Sequence, residues 1–286
     1  MIVPPYRTGL IALAFLAFVG CSGGGTSGPQ MGTAEWYWQA AQENFVKSDY
    51  RKTQEHLERV VDSDNPQKQQ AAVWRTVVLA GLVRGYKELG DVYAEVARKQ
   101  PPRAGQLQNS IQQYRRDARQ FAIALTESMG TVRKLVAEGD KVPLDFAFPT
   151  GSSTPSAALA SLKSGQSPPE NQLMDAERET LQWGMILQTA DMVGAKEEVN
   201  RARTMFETRP VEVSKTDFFL SLGQSMYSFS DLFGQKSLNE PKIRKVMLQV
   251  ALDCLTPVLE AQDAKLKQQA EKLKKEIETE HGKIKV

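Results

Sequence analysis

Apolar side chains recur along most of this chain at alternating intervals of three and four residues, the period that lays one apolar stripe along a helix. Residues 34–47 and 50–62 form two amphipathic stretches separated by Ser48-Asp49. In 67–98 the stripe runs through Val78, Leu82, Gly85, Leu89, Val92 and Val96, and in 106–138 through Leu107, Ile111, Tyr114, Ala118, Phe121 and Leu125. Leu173, Ala176, Thr180, Trp183, Leu187 and Ala190 repeat it. Gly194 punctuates the chain before 196–207, where Val199, Ala202 and Phe206 face one way. Residues 215–233 and 241–258 make a further helical pair joined by a turn at Asn239-Glu240-Pro241. The second of these is apolar nearly all round (Ile243, Val246, Met247, Leu248, Val250, Leu252, Leu255, Val258), which predicts a position at the centre of a bundle. Pro257 is expected to kink or end it.

One stretch breaks the pattern. Between Pro143 and Pro169 nearly half the residues are Pro, Gly or Ser, too many for regular structure beyond a short helix at 156–163. Val142 to Pro149 alternates apolar with other residues, and its prolines exclude a central strand. It reads as an extended segment across the helical body. The connection, 142–172, separates a first helical half (34–141) from a second (173–258). Nothing else alternates with period two, so the fold is predicted to be all-α, built of antiparallel helical hairpins with long capping helices and a Pro/Gly/Ser-rich insert.

The first residues obey a different rule. Arg7 precedes an unbroken apolar run at 9–20, GLIALAFLAFVG. As a helix that run rises about 18 Å, short of a hydrocarbon core of roughly 30 Å, so 1–20 has the proportions of a cleaved signal peptide. Phe18-Val19-Gly20-Cys21 resembles the lipobox of bacterial lipoproteins, with phenylalanine where leucine is usual. The resemblance implies cleavage before Cys21, acylation of that cysteine, and attachment to a membrane facing the periplasm. Ser22 in place of aspartate favours, by the sorting rule of that family, the outer membrane of a Gram-negative host. Residues 22–31, SGGGTSGPQM, supply a flexible tether within 21–33.

Residues 34–66, AEWYWQAAQENFVKSDYRKTQEHLERVVDSDNP, resemble a tetratricopeptide repeat over its full length of about 34 residues. Tyr37, Ala40 and Ala41 occupy the large and small positions of the first helix. Asp49-Tyr50 marks the turn, Thr53 takes the small position of the second helix, and Leu57 and Val60 its packing positions. The proline falls one residue late, and Asn44 and Thr53 depart from the pattern. Residues 86–91 look like another repeat turn and 190–206 like a helical hairpin. The resemblance implies that Glu35, Trp38, Gln42, Phe45 and Val46 face a concave groove, with Trp38 and Phe45 as exposed anchors for a partner peptide. Burial of both aromatics under the following helix or under the tether is the alternative for that pair, and a plain helical bundle is the alternative for the fold.

Composition narrows the function. Thirty-six basic against 34 acidic residues leave a formal charge of +2, too little for a nucleic-acid partner. Two cysteines and two histidines make neither a disulfide framework nor a metal cage. His56 sits beside Glu55 and Glu58 on the second repeat helix and reads as an exposed surface histidine. His281 lies in the charged tail. Cys254, among Val250, Leu252 and Leu255, is expected to be a buried, protonated thiol. Gly23 to Gly28 satisfies GxGxxG without a preceding strand or following helix, so it is linker. No HExxH, SxxK or CxxC occurs. No catalytic residues, metal or cofactor are therefore expected.

The tail, 259–286, carries Leu259, Leu266, Ala270, Leu273 and Ile277 at coiled-coil-like spacing between lysines and glutamates. Three uses stay open: a stripe packed back on the bundle, a seam for homo-oligomers, and contact of Lys265, Lys267, Lys272, Lys274 and Lys275 with anionic lipid. The expected function is a membrane-anchored scaffold or assembly factor that binds an envelope protein. It is similar in outline to the tetratricopeptide lipoproteins that assist outer-membrane β-barrel assembly. A structural envelope protein oligomerising through its tail, or an enzyme without a recognisable motif, is the alternative.

Overall fold

A computed structural model describes residues 28–136, 139–144, 156–194 and 211–285. The apolar run at 9–20, Cys21, and the helix expected at 196–207 lie outside the described residues.

Helix α1 (Ala34–Val46) starts where the Thr33 hydroxyl accepts from the Trp36 N–H, and α2 (Tyr50–Val61) where the Asp49 carboxylate accepts from the Lys52 N–H. Between them Ser48 takes φ +59, the left-handed conformation that reverses the chain. Thr53, fully buried, donates its hydroxyl to the Asp49 carbonyl at 2.9 Å, so its polar atom is satisfied inside the hairpin.

Two helices of 32 residues follow, α3 (Lys68–Lys99) and α4 (Ala104–Leu135), each about 48 Å long. A short 3₁₀ turn, Pro101–Arg103, joins them. Gln100, which precedes proline, is driven out of the helical region and ends α3. Residues 86–91, expected as a repeat turn, continue as helix within α3. The repeat dimensions therefore stop at α2. The cooperative hydrogen bonding of the 32-residue α3 outweighs Gly90 at the expected turn, whose helical cost is about 1 kcal/mol.

α3 is the central helix. Nearly every residue from Ala71 to Val83 is buried, because α2, α4 and α6 (Glu170–Met192) all pack on it. Where α3 crosses α6 the backbones touch: a Cβ on Gly184 would lie 2.3 Å from the Gly81 carbonyl oxygen and 2.8 Å from the Gly85 nitrogen. A short α5 (Ala157–Lys163), capped by Ser156, leads into α6, and Gly194, at φ +71, follows the end of α6.

The expected extended segment is a strand, β1 (Lys141–Leu144), antiparallel to β2 (Val211–Ser214), with Val142 opposite Val213 and Leu144 opposite Val211. All four of these side chains are buried. The expectation that nothing else alternates missed β2, whose Val-Glu-Val-Ser is a two-residue period too short to stand out. Pro143 has no N–H to donate, which a two-stranded ribbon with open edges tolerates.

Ser214 caps α7 (Lys215–Phe229), a 3₁₀ turn Ser230–Phe233 follows, and α8 (Pro241–Leu259) begins on Pro241. α8 does not occupy the expected centre. It packs on α7 and α9 (Ala264–Lys283), burying Met247, Leu248, Ala251, Cys254, Leu255 and Val258, while Val246 stays 55% exposed. Hydrophobicity on every face did not bring neighbours to every face. Pro257 lies in the final turn, and the helix closes two residues later. On α9, Ala270 and Ile277 are fully buried, and Leu266 and Leu273 pack on the same core. Of the three uses open to the tail stripe, packing back on the bundle is the one observed. A single apolar cluster runs from Ala41 to Ile277, so the halves separated in sequence share one core. The fold is all-α, made of helical hairpins with one small ribbon.

Candidate functional site

The face expected to bind a partner is split by the fold. Glu35, Gln42 and Val46 are exposed, Val46 at 61%, and with Gln39 they form one stripe at helical spacing. Trp38 is half-buried and packs on the core. Phe45, expected in the groove, is only 1% exposed: its ring meets Tyr50 at 5.6 Å and Trp74 of α3 at 5.5 Å, both edge-on. The reason is α3, which follows the hairpin directly and brings Trp74 against its inner side. His56 is half-buried against Trp36 and Tyr37, at 5.7 and 5.8 Å between ring centres, and not the freely exposed histidine expected. Burial lowers its pKa, outweighing Glu55 and Asp49.

A charged cluster that sequence reasoning missed joins α2, α3, α4 and α6. Arg51 pairs with Asp117 at 2.8 Å, donates from Nε to the Tyr86 hydroxyl at 3.1 Å, and lies 5.0 Å from the Phe121 ring centre. The Tyr114 hydroxyl is 3.5 Å from Glu177. Burial raises the Glu177 carboxyl pKa, with Arg51 pulling it back, and pushes the Tyr86 phenol up to about 12. The Tyr114 phenol is raised too, by burial and then by Glu177. Phenols held in the protonated state donate but do not act as bases, so the cluster reads as an interhelical clamp. Its visible sign in the sequence is Asp117, a lone acid inside the Arg-rich run YRRDAR.

Beyond this clamp, α3, α6 and α7 enclose a polar cleft of about 470 Å³. Gln188, fully buried, donates from its amide nitrogen to Ser221 at 3.3 Å and accepts from the Ser225 hydroxyl at 3.0 Å. Arg84 pairs with Asp191 at 2.7 Å and Lys87 with Asp91 at 2.8 Å along the rim. Ser221 and Ser225 contact the Gln188 amide, an arrangement that suits hydrogen-bonded binding. The Cys254 thiol is fully buried, as its neighbours implied, and burial pushes its pKa up to about 12, outside the reactive range. Among the described residues no three His, Cys, Asp or Glu side chains are placed to hold a metal ion, and no helix is long and apolar enough to cross a membrane.

The fold is that of an all-α protein of helical hairpins with polar clefts between them. Neither protein-family models, nor curated proteins, nor solved structures give a match to the chain.

Proposed function

We propose that this chain is a lipoprotein, acylated on Cys21, whose helical body holds a partner protein close to an envelope membrane. The observation that carries the reading is Phe18-Val19-Gly20-Cys21 at the end of an apolar run too short to span a bilayer. The Gly/Ser stretch that follows supports it, because even fully extended it reaches only roughly 40 Å before α1 begins. Confinement on that scale raises the effective concentration of a binding surface for partners at the same membrane.

The binding face in this reading is the outer stripe of α1: Glu35, Gln42 and Val46, with the half-buried Trp38 at its edge. The tetratricopeptide-like character of the α1–α2 hairpin supports a role in peptide or protein recognition, and the Gram-negative outer membrane is the proposed location. Membranes of the native host carrying a photo-crosslinker at Gln42 are expected to yield one defined envelope adduct. Combined Glu35→Ala, Gln42→Ala and Val46→Ala should abolish capture in a pull-down; unchanged capture would overturn the face. Cys21→Ala should leave the helical content intact and remove function in a deletion strain. Full complementation would show that tethering has no part in the mechanism.

A further inference from the structure

The Lys87–Asp91 pair walls a second cleft of about 450 Å³, between α3, α4 and the turn that follows α7. Arg115 and Arg119 enter it from α4, one helical turn apart, and Lys236 enters it from the turn. Among the described residues none of these three side chains has a hydrogen bond or ion pair. The two acids lining the same cleft already have cationic partners, Asp91 in Lys87 at 2.8 Å and Asp231 in Arg244 at 3.3 Å, a guanidinium shared with Glu280, so four cations line the cleft against two acids. A local surplus of positive charge thus sits on a chain whose formal balance is only +2.

This arrangement opposes stability. Like charges one turn apart on a helix repel, and a surface built for stability alone would alternate their signs. Burial first, then Arg115 and Arg116, lowers the pKa of Arg119, yet a guanidinium stays charged, so the fold carries the repulsion. Arg116 itself donates to Gln113 at 2.6 Å and does not line the cleft. Packing around Arg115 leaves room for it: Gly90 of α3 faces its stem, and a Cβ there would come within 3.3 Å of the Arg115 Cγ. Leu232 and Leu238 line the cleft as well, Leu238 being 46% exposed.

We propose that this cleft binds a phosphoryl group, with Arg115 and Arg119 as a two-armed clamp and Lys236 as the third cation. The planar guanidinium fork matches the spacing of phosphate oxygens, and a multiply charged group relieves the repulsion of the clamp more fully than a single carboxylate does. A soluble phosphate compound and the headgroup of an anionic phospholipid present the same chemistry. Leu232 and Leu238 would touch only the second. The inference rests on α4 and does not depend on the binding face of α1.

The full chain, in a neutral detergent, is titrated calorimetrically with inorganic phosphate and with dihexanoyl phosphatidylglycerol kept below its micelle concentration. At least one probe is expected to saturate. Arg115→Ala and Arg119→Ala should each weaken it roughly tenfold, while Arg116→Ala leaves it within about twofold. Tighter phosphatidylglycerol binding that Leu238→Ser selectively weakens identifies the lipid source. Phosphate binding indifferent to Leu238→Ser identifies the soluble one. Saturation by neither probe overturns the proposal, as does equal weakening by Arg116→Ala, which would mark diffuse surface charge. The ligand-free Arg115→Ala/Arg119→Ala double variant should melt no lower than the parent. A lower melting temperature would assign the pair to the fold and overturn the clamp.

Discussion

At the crossing of α3 and α6 the backbones approach closely, because Gly81, Gly85 and Gly184 meet there with only Met185 and Leu181 packed against them. Where α1 lies on α2, the contact is made of side chains, with Phe45 against Tyr50 and Trp74 behind it, and the other side of α1 faces solvent. The first arrangement gives close approach and fixed geometry, and it tolerates no added atom. The second leaves a stripe open, because only one side of the hairpin is covered. The scaffold role proposed above would draw on both a close-packed centre and an open edge, and the two regions obtain them by opposite means.

The comparison breaks most visibly at Phe45. Phe45→Ala removes a ring buried between Tyr50 and Trp74 and should cost about 4 kcal/mol in chemical denaturation. A loss under about 1 kcal/mol would mean that the ring is not clamped by α3. Next comes Gly184→Ala, whose methyl would meet the Gly81 carbonyl oxygen at 2.3 Å. Helices must separate to admit it, and about 3 kcal/mol of destabilisation is expected. Neutral behaviour would show that the crossing is looser than drawn.

A smaller effect tests the clamp between these regions. The folded-state pKa of Glu177 is raised, chiefly by burial. An acid with a raised folded pKa contributes most when protonated, below its unfolded value near about 4.3, and loses that contribution as pH rises through the folded value. Glu177→Gln stays neutral, so its stability relative to the parent should increase between about pH 4 and neutrality. Paired denaturation curves at the two pH values check this, and a gap that shrinks with pH would reverse the sign. The smallest expected change in stability is at the open stripe: the combined Glu35, Gln42 and Val46 alanine variant should stay within about 0.5 kcal/mol of the parent. That near-neutrality is what makes the variant a clean probe of partner capture.

Helix limits were legible because periodicity and breakers are local. Ser48-Asp49, Gly194 and Asn239-Glu240-Pro241 were read as breaks, and helices end or begin at each. β2 was not legible, since a four-residue alternation gains meaning only beside β1. The central helix was misassigned for a related reason. The 241–258 stretch has apolar residues on every side, but α3 carries the denser run, AAVWRTVVLAGLV, and the neighbours that cover it on several faces. Of the groove residues, Glu35, Gln42 and Val46 are exposed, Trp38 is half-buried, and Phe45 is not in a groove at all. No sequence signal announces that Trp74, far along the chain, will close over it. The Arg51–Asp117 clamp and the Arg115–Arg119 cleft were likewise unread, because side chains from different helices meet in them.

Sequence alone determined the helices, the α1–α2 hairpin and the buried, inert state of Cys254. All of these follow from hydrogen bonds and apolar spacing within a few turns of chain. The tertiary structure decided which helix sits at the centre, which face of α1 stays open, and where unpaired charge collects. These depend on contacts between residues tens of positions apart. A helix specifies its own stripe, while the neighbour that covers the stripe, or leaves it bare, is specified elsewhere.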